Sequence, residues 1–183
     1  MTLNELALLP LAIVALLVSL YWVRRIRVAG LEKAWLTTEL QDAELVYSEQ
    51  VFRTRSPVSI VAKLDRGYQN VEGVIILVEL KTRSVNRPYF SDVIELSAQR
   101  LAVQAQTRKC VADHAYVLIQ QNGIRRKTAH RVALLSRAEV VALATRREAI
   151  LMGEVVPQYA CSEGLCDRCA FKQACQRSVD LFP

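Results

Sequence analysis

A run of 18 residues without a charge, Leu6 to Val23 (LALLPLAIVALLVSLYWV), constrains the chain most, because so long an apolar stretch has few places to go. As a helix it reaches about 27 Å, near the hydrocarbon thickness of a bilayer. The chain opens MTLNE, with an acid where a secretory signal carries basic residues, and Arg24, Arg25 and Arg27 follow the run. That pattern reads as an uncleaved anchor. The arginines place the following chain in the cytoplasm, and Tyr21 and Trp22 stand where aromatic residues meet the membrane interface. Pro10 falls in the first turns, where a membrane helix tolerates a kink. The expectation is a single pass through a bacterial or archaeal inner membrane, with lipid contacts along residues 6–23. A buried helix of a soluble core is the competing reading, but such helices seldom run this far with serine as their only polar residue.

Beyond the anchor and its basic flank (1–27), the remainder is about the size of one domain with one core. Helical spacing of Leu31, Ala34, Trp35, Leu36 and Leu40 predicts a first helix over Leu31–Ala43. Two strands rich in β-branched and aromatic residues follow, Leu45–Arg53 and Val58–Arg66. After a turn placed at Gly67–Gly73, VIILVELK (Val74–Lys81) is apolar enough for a central strand covered on both faces. Ser91 or Asp92 caps a long helix reaching about Lys109, with Val93, Leu96, Leu101, Val103 and Ala105 as its apolar stripe. Asn122-Gly123 joins strands Ala115–Gln121 and Arg126–Leu135 as a hairpin, and Ser136 caps a last helix to about Met152. The fold class is α/β: a mixed central sheet flanked by helices, closed by a cysteine-rich segment over 157–183.

Two charges interrupt the central strand. Residues two apart in a strand share a face, so Glu79 and Lys81 project together. Burying both is costly without compensation, and a divalent cation compensates. Glu79, Asp65 from the end of the preceding strand and the carbonyl of Leu80 offer hard oxygens suited to Mg²⁺ or Mn²⁺. Lys81 is placed to orient a nucleophile or to stabilise developing negative charge. The bland alternative is a Glu-Lys ion pair on an edge strand, with Asp65 merely starting a turn.

The assembly of LDR (Asp65), VELK (Glu79, Lys81) and SAQRLAV (Gln99), ending in cysteines, resembles the RecB-like exonucleases of the PD-(D/E)XK superfamily, including the CRISPR-associated exonuclease of the Cas-four type. The resemblance covers roughly Leu31 to Phe182 and implies a RecB-like nuclease core at 28–156. It implies metal binding by Asp65 and Glu79, catalytic assistance by Lys81, and a helix on which Gln99 contacts DNA and the site. The sequence departs at two points: Val103 stands four after Gln99 where the family often has Tyr, and no histidine precedes Asp65. Glu39 or Glu44 would stand in for the acidic residue that other superfamily members carry before the first strand.

Cys161, Cys166, Cys169 and Cys175 put four thiolates within 15 residues, at metal-ligand spacings. Zinc and iron-sulfur clusters both accept such a set, and two disulfides are the alternative that a reducing compartment disfavours. The resemblance implies a structural 4Fe-4S cluster, because its members close with C-x2-C-x5-C, matched by Cys166, Cys169 and Cys175. Cys161 then replaces a fourth ligand that the family carries far upstream. The remaining Cys110 reads as an inert buried residue.

A formal charge of +6 favours polyanionic partners. Arg83, Arg87, Arg100, Arg108, Lys109, Arg125, Arg126 and Lys127 form either a nucleic-acid track or a basic surface facing anionic lipid. His114 and His130 have no acid at ligand spacing and read as packed or surface residues. Three functions follow: a metal-dependent nuclease acting on DNA, with single-stranded ends as the favoured partner; a non-catalytic, membrane-tethered DNA-binding or scaffold protein; or a small zinc-stabilised membrane adaptor.

Overall fold

Among the described residues, the helices that frame the strands are α1 (Thr38–Gln41), α2 (Phe90–Thr107) and α3 (Arg137–Leu151). The strands are β1 (Glu44–Thr54), β2 (Ile60–Gln69), β3 (Ile75–Arg83), β4 (Val111–Gln121) and β5 (Lys127–Ala133), and a 3-10 turn at Lys172–Ala174 comes last. This computed structural model describes residues 35–158 except 125, together with 16, 18, 19, 164, 165, 169, 170 and 172–174. It divides into two units, Met1–Val141 and Ala142–Pro183, the division falling inside α3.

In the first unit the five strands form one sheet in the spatial order β1-β2-β3-β4-β5. All neighbours pair antiparallel except β3 and β4, which are parallel and joined through α2. The mixed sheet is the one expected, with β3 at its centre. Its near-continuous apolar run is explained by two cores. Ile75 and Leu77 pack with Phe52, Leu64 and the α2 residues Leu96, Ala102 and Val103 on one face. Ile76 and Val78 pack with Trp35, Leu40, Tyr68, Tyr116 and Leu118 on the other. A strand covered on both sides has no need to alternate.

Four local expectations are corrected. The first helix, expected over Leu31–Ala43, is confined among the described residues to Thr38–Gln41; Thr37 is extended at its N-cap, and Trp35 enters the second core from outside the helix. Gly67 lies within β2 rather than in a turn. A Cβ there would sit 3.0 Å from Tyr47 Cδ2 and 3.2 Å from Leu64 Cδ2, so glycine serves close packing. The turn follows at Asn70, whose Oδ1 accepts the N–H groups of Glu72 (3.1 Å) and Val74 (2.9 Å), with Gly73 at φ +82°. Helix α2 starts at Phe90 with Tyr89 as its N-cap residue, and Asp92 lies inside its first turn, accepting the Tyr89 N–H at 2.7 Å. Cys110 is exposed, not buried.

The hairpin at Asn122-Gly123 and the Ser136 cap stand where the sequence places them. Gly123 has φ +78°, while Ser136 and Glu139 exchange hydrogen bonds as a capping box, Glu139 Oε2 accepting the Ser136 N–H at 2.7 Å. In the second unit α3 runs on to Leu151, and Gly153 at φ +77° follows it. Of the four clustered cysteines only Cys169 is among the described residues, exposed and outside any disulfide. The expected four-cysteine metal site therefore lies outside them. So does the run 6–23, except for Leu16, Val18 and Ser19, which are helical and exposed. Among the described residues no helix is long and apolar enough to cross a membrane.

Candidate active site

Strands β2 and β3 separate where the site forms. Their pairing ends at Arg66↔Val78, although β2 begins at Ile60 and β3 continues to Arg83. The first half of β2 stays with β1 as far as Thr54↔Ile60, and the last half of β3 stays with β4 as far as Arg83↔Gln121. The result is a fork inside the sheet. Backbone groups facing a fork have lost their ladder partners and need others.

Asp65 supplies one: its Oδ2 accepts the Leu80 N–H at 2.8 Å. The N–H and C=O of a strand residue point to the same edge, so the Leu80 carbonyl faces the fork as well. Gln99, from α2, ties the prongs together by donating its Nε2 to the Lys63 carbonyl (3.0 Å) and to Glu79 Oε2 (2.8 Å). Asp65, Glu79, Leu80 and Gln99 are thus brought to one place, and Lys81 joins them with its Nζ 2.8 Å from Glu79 Oε1.

The same contacts extend along β3 as a ladder onto α2. Glu79, Lys81 and Arg83 occupy alternate strand positions, a repeat of about 6.6 Å, and Gln99, Glu95 and Asp92 lie about one helical turn apart, roughly 5.4 Å. The two repeats run in step closely enough to pair. Lys81 Nζ is 2.7 Å from Glu95 Oε2, and the Arg83 guanidinium grips Asp92 with both ends, at 2.8 and 3.0 Å. Arg83 is therefore committed to Asp92 rather than standing free in a basic track. Glu95 is a member of the site that the sequence reading missed. Its signal was present, since Glu95 precedes Gln99 by four residues and shares its helix face.

The upstream acids lie elsewhere. Glu39 binds the Tyr116 hydroxyl (2.6 Å) and His114 Nε2 (2.9 Å) beside the second core, across the sheet from Glu79. Glu44 pairs with Gln69, the last residue of β2, four positions along the strand from Asp65. Nearer is Glu49, which holds an unusual φ of +51° within β1 between residues paired to Arg66 and Leu64, and forms an ion pair with Lys63. His114 proves to have acid partners after all: Asp113 beside it, at 3.1 Å, and Glu39, 75 residues distant. His130 contacts Asn86 at 2.9 Å.

The donors at the fork suit a hard divalent cation. Two carboxylates and a backbone carbonyl are all oxygen, and the Gln99 Oε1 is a buried acceptor with no donor. Its amide orientation is settled by chemistry, because Nε2 already serves two acceptors. Among the described residues no three His, Cys, Asp or Glu side chains converge as a metal site, so a cation here would take two carboxylates and complete its shell with carbonyl and water.

No protein-family profile matches the chain, and no curated protein is similar to it in sequence. Solved structures similar to it include the protein SSO0001, 17% identical, with a TM-score of 0.48 over 90% of this chain and 74% of that one. Another is a provisionally assigned exonuclease from Eubacterium rectale, 12% identical, with a TM-score of 0.49 over 80% of this chain and 57% of that one. Likenesses this distant leave the functional reading to the geometry of the site.

Electrostatics mark Glu79 as the strained member. Burial pushes its carboxyl above the ordinary value of 4.5, reinforced by Asp65 and Glu95, and the hydrogen bonds from Lys81 and Gln99 only partly offset this. Burial pulls the Lys81 ammonium down, but its bonds to Glu79 and Glu95 outweigh that and hold it protonated above the usual lysine range. For Asp92, burial acts upward yet the Arg83 guanidinium and the Tyr89 N–H win, leaving it below the usual carboxylate range. A carboxyl raised on folding favours the folded state below its unfolded pKa and loses that contribution as pH rises through the folded value. Ionised Glu79 therefore works against stability at neutral pH. Glu79→Gln is predicted to be more stable than the parent at pH 8, an advantage that shrinks as pH falls toward 4.5. Urea unfolding across pH measures this, and a variant less stable than the parent at pH 8 would contradict it.

Proposed function

We propose that the protein is a metal-dependent nuclease that hydrolyses DNA phosphodiester bonds, acting at single-stranded ends and held at the membrane by residues 6–23. The observation that carries this reading is the meeting of Asp65, Glu79 and Lys81 at the β2–β3 fork, with Lys81 Nζ 2.8 Å from Glu79 and 2.7 Å from Glu95. A bound Mg²⁺ or Mn²⁺ would supply positive charge against the phosphodiester and acidify water beside it.

The chain's own residues do the remaining work. Asp65 and Glu79 would hold the cation, with the Leu80 carbonyl as a further oxygen donor. Lys81 is fixed by two acids, so its ammonium is aimed before substrate arrives and loses little freedom on binding. Kept protonated by those acids, it acts as an electrostatic clamp on the phosphoryl oxygens and a hydrogen-bond donor to the attacking water. Gln99 holds Glu79 in register with the β2 prong. The resemblance to RecB-like nucleases supports the same roles.

The full chain should cleave labelled DNA with Mn²⁺ or Mg²⁺ and stop when the metal is chelated. Lys81→Ala should lower the rate about 100-fold or more, as loss of a donor aimed at developing charge does elsewhere. Equal activity in both proteins, or none in the parent, would refute the site; DNA binding without cleavage would favour the non-catalytic scaffold.

The proposal extends to Cys161, Cys166, Cys169 and Cys175 as ligands of a structural 4Fe-4S cluster, with zinc as the alternative, whose binding energy would fasten the C-terminal segment. Protein prepared without oxygen should be brown, with broad absorbance near roughly 400 nm. A colourless preparation carrying stoichiometric zinc would overturn the iron-sulfur assignment.

A further inference from the structure

One step beyond Lys81, the β3–α2 ladder ends in a corner with no part in the chemistry described so far. Residues 84–89 connect β3 to α2, and the connection is tied down throughout. Gln121 Nε2 donates to the Ser84 carbonyl (2.9 Å), the Arg83 guanidinium to the Arg87 carbonyl (3.3 Å), and Asn86 bonds Thr128 (3.4 Å) and His130 (2.9 Å) of β5. A loop held this firmly normally turns its apolar side chains inward. This one exposes Val85 at 46% and Tyr89 at 40%, and the first residue of α2, Phe90, follows at 64%.

Two arginines lie against the Tyr89 ring. The Arg83 guanidinium, locked by Asp92, lies 4.5 Å from the centroid of the Tyr89 ring, and that of Arg87 lies 5.5 Å from it. Arg87 has no hydrogen-bond acceptor for its guanidinium among the described residues, so its donors remain open to a phosphate. Arg126 is exposed just before β5, whose Thr128 bonds the same loop. Rigid exposed aromatics set among arginines match the chemistry of an unpaired nucleotide: a flat base and its phosphate. Duplex DNA hides its base faces within the stack, so it could use the arginines but not Phe90.

We infer that the β3–α2 corner is a stacking ledge for single-stranded nucleic acid, with Phe90 receiving a base and Arg87 the adjoining phosphate, next to the Asp65–Glu79–Lys81 fork. This deepens the nuclease reading and rests on it for the fate of the bound strand. The ledge itself is read by binding alone.

The test uses the full chain in detergent with EDTA, so that nothing is cut, and a labelled oligothymidylate of about 20 nucleotides beside a blunt duplex of the same length. Phe90→Ala should weaken single-strand binding about tenfold, by fluorescence anisotropy, while duplex binding changes less than about twofold; Phe90→Trp should restore the loss. Unchanged single-strand affinity in Phe90→Ala, an equal loss on both substrates, or no single-strand binding by the parent would each overturn the ledge. The two proposals fail separately: selective loss in a chain that never cuts DNA with Mn²⁺ leaves the ledge standing without the nuclease, and a cutting chain indifferent to Phe90 does the reverse.

Discussion

The buried carboxylate of Glu79 is the constraint around which the site is arranged. It sits on the central strand with 4% of its surface exposed, where an ionised group without partners would cost several kcal/mol. Lys81 engages one of its oxygens and Gln99 the other. Each partner is then held by something else, Lys81 by Glu95 and Gln99 by the Lys63 carbonyl. A helix turn and a strand dipeptide nearly match in length, so one more rung, Arg83 with Asp92, follows along the same face. Packing alone would orient α2 only loosely on the sheet; this polar ladder fixes its register.

The fork between β2 and β3 is the counterpart of that ladder. A continuous antiparallel pair would have joined Leu64 to Leu80 and closed the sheet, leaving no room for a ligand between the prongs. The strands part after Val78, and the Asp65 carboxylate takes the Leu80 N–H in place of a backbone carbonyl. The sheet gives up ladder bonds there and gains an acidic notch lined with oxygen. Two apolar cores, one on each face of β3, hold the strand steady up to the residue where it turns polar.

Much of this was legible in the sequence, for reasons that differ by residue. The run VIILVEL announced a strand buried on both faces, and Asn122-Gly123 and Ser136 announced a turn and a cap, because these signals are local. Asp65, Glu79 and Lys81 could be named because charges in an apolar strand demand partners, whereas Gln99 was named through the resemblance to the RecB-like exonucleases. Gly67 misled because a glycine needed for close packing against Tyr47 looks the same as one needed for a turn. Glu95 was marked only by the helix face it shares with Gln99, its pairing with Lys81 being set by the step of α2 against β3, and the Glu39–His114 contact joins a helix and a strand 75 residues apart. Exposure of Cys110 and of Phe90 was equally out of reach, since neither follows from spacing.

The central claim is that Asp65 and Glu79 share one divalent cation at the fork. Titration of the full chain with Mn²⁺, followed by the electron paramagnetic resonance of the unbound ion, measures this without any substrate. The account predicts a site in the parent that Asp65→Asn removes, although Asp65→Asn keeps an oxygen for the Leu80 N–H and so preserves the fork. Undiminished Mn²⁺ binding in Asp65→Asn would contradict it.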